Sequence, residues 1–286
     1  MNTLQVGPCS IAYQDAGRGT AVILVHCSSA SHRMWKPLVE QLSPRYRVLA
    51  PDLIGYGDSD TWPADQVFDP SADTEIVLRL AALADGPVHI AAHSYGAAVA
   101  LEAARQLDGK LRSLTLIEPV AGHLLRLTGR SREWDEISRI ANRVRAAVAE
   151  GSLRSAAAIY MSYWIGRLRW WLMPNKQRRR IIETVNKVAA EFGALDRMST
   201  PPEAYARIGV PTRLVVGGRT RRPARAVVDV LLETMPNAHR HILPTAGHMS
   251  PFSHANEVHA LIAEHIGRPD SRSLERPAAN TVLRFP

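Results

Sequence analysis

Short apolar runs separated by helix-length stretches constrain this chain more than any other feature. "AVILVH", "YRVLAPDL", "GPVHIAAH", "SLTLIEP" and "PTRLVVGG" carry apolar residues at consecutive rather than alternating positions, as strands buried on both faces do. With "SIAYQ" before them and "HRHILP" after them, they predict βα repeats in one open, mostly parallel, doubly wound sheet. The 286 residues, 46% of them hydrophobic, fit one large α/β domain or one such domain with an insertion.

The strand pattern stops between about Gly122 and Ile208. There Ser131 reads as a cap followed by Glu133, Asp135 and Glu136, and Pro174 as the opening of a helix ending near Gly193. The expected organisation is a core of residues 1–120 and 209–267, a helical cap of 121–208 and a polar, Pro-rich tail of 268–286.

Much of the net charge of +8 is local, with 15 Lys or Arg against 8 Asp or Glu between Ala121 and Glu203. No nucleic-acid motif accompanies "KQRRR" (Lys176 to Arg180), so a solvated helix face is favoured over an anionic surface or substrate, and no nucleic-acid partner is expected. There is no run of 18 apolar residues and no basic segment leading into an apolar one. A soluble, cytoplasmic protein without a membrane partner is therefore expected. Cys9 and Cys27 form no CxxC pair, which fits a reducing compartment. His239 and His241 lack a third ligand at suitable spacing, so no metal is expected. The expected partner is a small-molecule substrate; the oligomeric state is open.

In "HIAAHSYGAAVALEAARQL" a strand runs into Ser94 and then into an Ala-rich helix. A sharp strand-to-helix turn of this kind projects a serine hydroxyl as a nucleophile, whereas a serine before a helix otherwise serves as a cap. The helix N-terminus also favours a developing anion. A serine needs a base, and His248 in "TAGHMSPFSH" follows the last strand; His254 is the weaker candidate. The N–H of Tyr95 and one from His26-Cys27-Ser28-Ser29, with Ser28 favoured, are the expected oxyanion donors. "LTLIEPV" raises a separate question, because Glu118 ends an apolar strand with a charge that requires a partner or a chemical role.

With these residues in place, the chain resembles the α/β-hydrolase superfamily of esterases, lipases and carbon–carbon-bond hydrolases. The resemblance rests on "VHCSSASHRMW" at the oxyanion loop, "PDLIGYGDSD" at the Asp-x-x-Gly-x-Gly-x-Ser turn, "AHSYGA" at the elbow and "AGHMSP" at the histidine loop. It covers residues 1 to about 267 apart from the insertion, which takes the place of the variable cap. It implies a structural role for Asp52. Ala92 stands for the elbow's first glycine, and Cys27, read as a small buried filler rather than a reactive thiol, for the oxyanion-loop glycine.

Many members carry the triad aspartate shortly after the strand that here ends in Gly217-Gly218, but Arg219, Thr220, Arg221 and Arg222 fill that segment. Some members place the acid after the earlier strand, which makes Glu118 the expected third member of the triad. The alternatives are a structural role for Glu118, or Asp229 as the acid.

The implied activity is serine-dependent hydrolysis of an ester, thioester, lactone or related carbonyl through an acyl-enzyme, for which no cofactor is expected. The alternative is a catalytically degenerate binding protein, for which the missing aspartate argues. Of the cap aromatics Tyr160, Tyr163, Trp164, Trp170 and Trp171, Trp164 and Trp170 are the expected substrate contacts; packing of the cap on the sheet is the other reading of this group. Arg167 and Arg169 interleave with them and leave an anionic substrate tail open.

Overall fold

A computed structural model describes residues 1–268. Apart from Arg268, the expected tail of 268–286 lies outside the described residues.

In chain order the elements are β1 (Asn2–Val6), β2 (Cys9–Ala16), β3 (Ala21–Val25), α1 (Lys36–Leu42), β4 (Arg47–Pro51), α2 (Pro70–Ala82), β5 (Val88–His93), α3 (Tyr95–Ala104) and β6 (Leu111–Ile117). Five helices follow: α4 (His123–Leu127), α5 (Ser131–Ala149), α6 (Leu153–Ile165), α7 (Arg167–Leu172) and α8 (Asn175–Arg197). The chain then returns to the sheet with β7 (Thr212–Gly217), α9 (Arg222–Thr234), β8 (Ala238–Leu243), α10 (Ser250–Ser253) and α11 (Ala255–Ile266).

The eight strands form one sheet in the order β1-β2-β4-β3-β5-β6-β7-β8, parallel except at the pairings of β2 with β1 and β4. Helices α4 to α8 form a cap inserted between β6 and β7 of this mostly parallel, doubly wound sheet. The consecutive apolar runs arise because neighbours along a strand feed opposite cores. Ile23, Ile90, Leu116 and Val216 pack into one hydrophobic cluster, while Leu24, Ala91, Ile117 and Val215 pack into the other. The cap helices hold a third cluster of their own around Val144, Tyr160 and Val185.

Two helix starts and one helix end differ from expectation. Ser131 is the first residue of α5 rather than its cap, and its hydroxyl donates to the Gly129 carbonyl at 3.5 Å. Pro174 is the residue before α8, and α8 continues past Gly193 to Arg197, because Gly193 is a buried helical residue and does not terminate the helix. Strand β1 has no counterpart in the expected set; only Val6 of its five residues is buried, so it carries little apolar signal.

Candidate active site

The C-terminal ends of the central parallel strands converge on one edge, where ligands bind in open α/β sheets. The three described non-glycine residues with positive φ, Ser29 (57°), Ser94 (56°) and Glu118 (51°), all follow β3, β5 or β6 there. Such backbone costs on the order of 1–3 kcal/mol per residue and persists where surrounding contacts dictate it. At the elbow, the Ser94 N–H donates to the Ile117 carbonyl at 2.9 Å. Gly96 allows α3 to press on the β3 loop, since a Cβ there would lie 2.1 Å from the His26 carbonyl oxygen.

Ser94 precedes α3 yet makes no capping hydrogen bond; its Oγ lies 2.9 Å from Nε2 of His248. On the far side of that imidazole, Nδ1 is 3.2 Å from Oε2 of Glu118. All three residues are buried. Glu118 also accepts from the Gly217 N–H and from the Thr220 hydroxyl, both at 2.6 Å. The end of β7 and the segment that lacks an aspartate thus each supply one donor to the carboxylate that follows β6. Asp229, the alternative acid, pairs with Arg240 at 2.7 Å.

His93 holds the histidine loop from below. Burial keeps its imidazole well below the ordinary range, hence neutral, and Nε2–H donates to the His248 carbonyl at 2.8 Å. His254 bonds Thr245 and Ser253 instead.

His26 shapes the oxyanion loop. Its Nε2 accepts from the Leu53 N–H at 2.9 Å, so Nδ1–H donates to the Cys27 carbonyl at 2.7 Å. Burial pushes the Cys27 thiol up to about 12, which removes the thiolate that reactivity requires. Tyr95 occupies the first position of α3, where backbone N–H groups have no acceptor within the helix. The Ser28 side chain turns the other way and donates to Oε2 of Glu191 on cap helix α8 at 2.5 Å.

Glu191 was not singled out by any motif. It also accepts from Tyr56 at 2.8 Å and lies 3.5 Å from Lys187, which reaches Asp73 at 2.8 Å. Asp73 in turn accepts from the Tyr95 hydroxyl at 2.8 Å. Burial raises the Glu191 carboxyl to about 7 despite Lys187 and its two hydroxyl donors. A buried charged network therefore ties the cap to both segments expected to supply oxyanion donors.

A cavity opens over Ser94. Its walls include Val120, Trp134, Ile137, Trp164, Phe192 and Glu191. Trp164 stacks on His248, with ring centroids 3.7 Å apart and planes 20° from parallel. Trp170 is a correction: it does not line the cavity but packs against the cap's own cluster. The break at Gly166 (φ 85°) starts α7 in a new direction and turns that ring onto the cap helices. Tyr163 donates to Glu136 at 2.9 Å, so it too is engaged within the cap.

His32, Asp52 and Asp58 bring ligand-type atoms within 4.8 Å of one another. The Asp52 carboxylate already accepts from the His32 N–H, the His32 ring and the Asp58 N–H at 2.7–2.9 Å, and Asp58 pairs with Arg33. These bonds brace the turn after β4.

The sequence pattern of the Alpha/beta hydrolase family matches residues 22–261. The chain belongs to that family. Among curated relatives of this hydrolase-family chain, a pimeloyl-[acyl-carrier protein] methyl ester esterase of Methylococcus capsulatus is 37% identical over 107 residues, 36% of this chain and 39% of that protein. Lipase LipV of Mycobacterium tuberculosis is 35% identical over 102 residues, 34% of this chain and 36% of LipV. The match thus spans less than two-fifths of either relative.

Solved structures resemble the whole fold. MGS-M2, an alpha/beta hydrolase enzyme from a Medee basin deep-sea metagenome library, superposes with a TM-score of 0.78 at 16% identity, covering 94% of this chain and 98% of its own. The enol-lactonase from Burkholderia xenovorans LB400 gives 0.74 at 17% identity, covering 93% and 100%. Within the family fold, no described helix is long and apolar enough to cross a membrane.

Proposed function

We propose that the protein is a serine hydrolase that cleaves an ester, thioester, lactone or related carbonyl substrate through an acyl-enzyme. One observation carries the reading: Ser94 Oγ, both ring nitrogens of His248 and Glu118 Oε2 form a continuous chain at 2.9 and 3.2 Å, opening into an apolar cavity. Serine, base and orienting carboxylate are the parts that nucleophilic catalysis on a carbonyl needs.

Ser94 Oγ attacks the carbonyl carbon as its proton passes to His248 Nε2. The imidazolium so formed keeps its Nδ1–H on Glu118, which fixes the tautomer and offsets the positive charge. The negative charge on the carbonyl oxygen falls to the N–H groups of Tyr95 and Ser28. Collapse of the intermediate breaks the bond to the leaving group, which takes the proton from His248. Water then loses a proton to His248 and attacks the acyl carbon; collapse breaks the bond to Ser94 Oγ, which takes the proton back from His248 as the acid product leaves.

The apolar walls suit an apolar or aromatic acyl portion. Methyl ester cleavage, named for the Methylococcus relative, falls within this chemistry.

A fluorophosphonate probe with peptide mapping tests the assignment. Labelling of Ser94, with loss of p-nitrophenyl ester turnover in Ser94→Ala, is expected. A folded wild-type protein that resists the probe and turns over no ester overturns it in favour of a binding protein.

A further inference from the structure

Helix α7 has no buried residue. Trp170 leans on the cap cluster, while Leu168, Trp171 and Leu172 stand 68%, 70% and 62% exposed. Positions 168, 171 and 172 follow the i, i+3, i+4 spacing of one helical face, a pattern that ordinarily faces a core. Here that face points away from the protein.

Its surroundings are cationic. Between Glu150 and Glu183 there is no acidic residue but seven arginines or lysines. Arg167, Arg169, Lys176, Arg179 and Arg180 are exposed around the apolar face. Among the described residues none of these five is paired with a carboxylate. A second copy of the chain set symmetrically on this patch would bring the same cations together. The complementary partner is apolar beneath an anionic skin.

We propose that α7 and the first turns of α8 dock the cap onto an anionic lipid surface. Leu168 and Leu172 enter the acyl boundary, the Trp171 ring lies at headgroup level, and the arginines and lysine meet lipid phosphates. The absence of an 18-residue apolar run bears on spanning a bilayer and not on lying against one. Docking in this way also orients the catalytic edge. Arg169 lines a groove together with Trp164, Arg219, Arg221 and Arg222, and Trp164 stacks on His248.

The test is co-sedimentation of the full chain with vesicles of phosphatidylcholine containing about one-third phosphatidylglycerol, which needs no turnover. The expected result is binding that weakens at least about tenfold on pure phosphatidylcholine and in the Leu168→Ser/Trp171→Ser/Leu172→Ser variant. A second variant, Arg167→Gln/Arg169→Gln/Arg179→Gln/Arg180→Gln, should lose the preference for the anionic vesicles. Circular dichroism checks that both remain folded. Failure of the wild-type chain to sediment with the anionic vesicles, or sedimentation of both variants with them as strong as that of the wild type, overturns the proposal. A solution dimer that the serine variant converts to monomer overturns it too, because a second copy would then cover the patch.

Discussion

The indole of Trp164 lies flat on the imidazole of His248, centroids 3.7 Å apart, so a cap residue covers one face of the proposed base. Acyl transfer makes that ring cationic, and an aromatic face stabilises a nearby cation by roughly 0.5–2 kcal/mol. Trp164→Ala should therefore lower kcat about 3- to 30-fold, while Trp164→Phe recovers part of the loss. Steady-state kinetics on one ester checks both; equal kcat for Ala and wild type would reduce Trp164 to a cavity wall.

Glu118 carries the second expectation. Glu118→Gln keeps a side chain of the same shape but not the charge that faces His248 Nδ1 at 3.2 Å. A kcat lower by about 10²–10⁴ is expected, as for loss of a triad carboxylate elsewhere. Near wild-type turnover in a folded Gln variant would leave the carboxylate as a brace for the Gly217 and Thr220 loop.

The sequence made some of this legible and hid the rest for physical reasons. Strands β3 to β7 announced themselves because burial on both faces leaves consecutive apolar residues. Ser94 and His248 lie in local patterns, and Glu118 stood out because a charge ending an apolar strand requires a partner. The pair Trp170-Trp171 gave no sign of which ring turns inward, because the break at Gly166 sets the direction of α7. Thr220 and Glu191 were invisible as site residues, since their partners Glu118 and Ser28 are 102 and 163 positions away.

Thr220 stands where the sequence lacks an aspartate and donates to the Glu118 carboxylate at 2.6 Å. It is a positioning residue, acting through Glu118. Thr220→Val removes that donor from a charged acceptor, a loss of about 1.5–3 kcal/mol for such bonds. The expected outcome is kcat reduced about tenfold or more with KM little changed, and recovery in Thr220→Ser, which restores the hydroxyl. A parallel loss in Val and Ser would point to packing of the loop instead.

Glu191 gives a prediction about stability and pH. Its carboxyl sits at about 7 in the folded protein against the ordinary 4.5, so burial favours the protonated form. The folded state then holds a proton that the unfolded chain has released between pH 4.5 and 7. This group's contribution to stability is accordingly full below about 4.5 and is lost as pH rises through 7. Glu191→Gln has no proton to lose, so its stability relative to wild type should rise between pH 5 and pH 8 by something on the order of a few kcal/mol. The ion pair with Lys187 is already among the causes that set the carboxyl at about 7, so its loss is contained in this difference. Urea unfolding of both proteins at the two pH values reads the change, and a difference that stays constant would show that Glu191 is ionised throughout, held by Lys187, Ser28 and Tyr56.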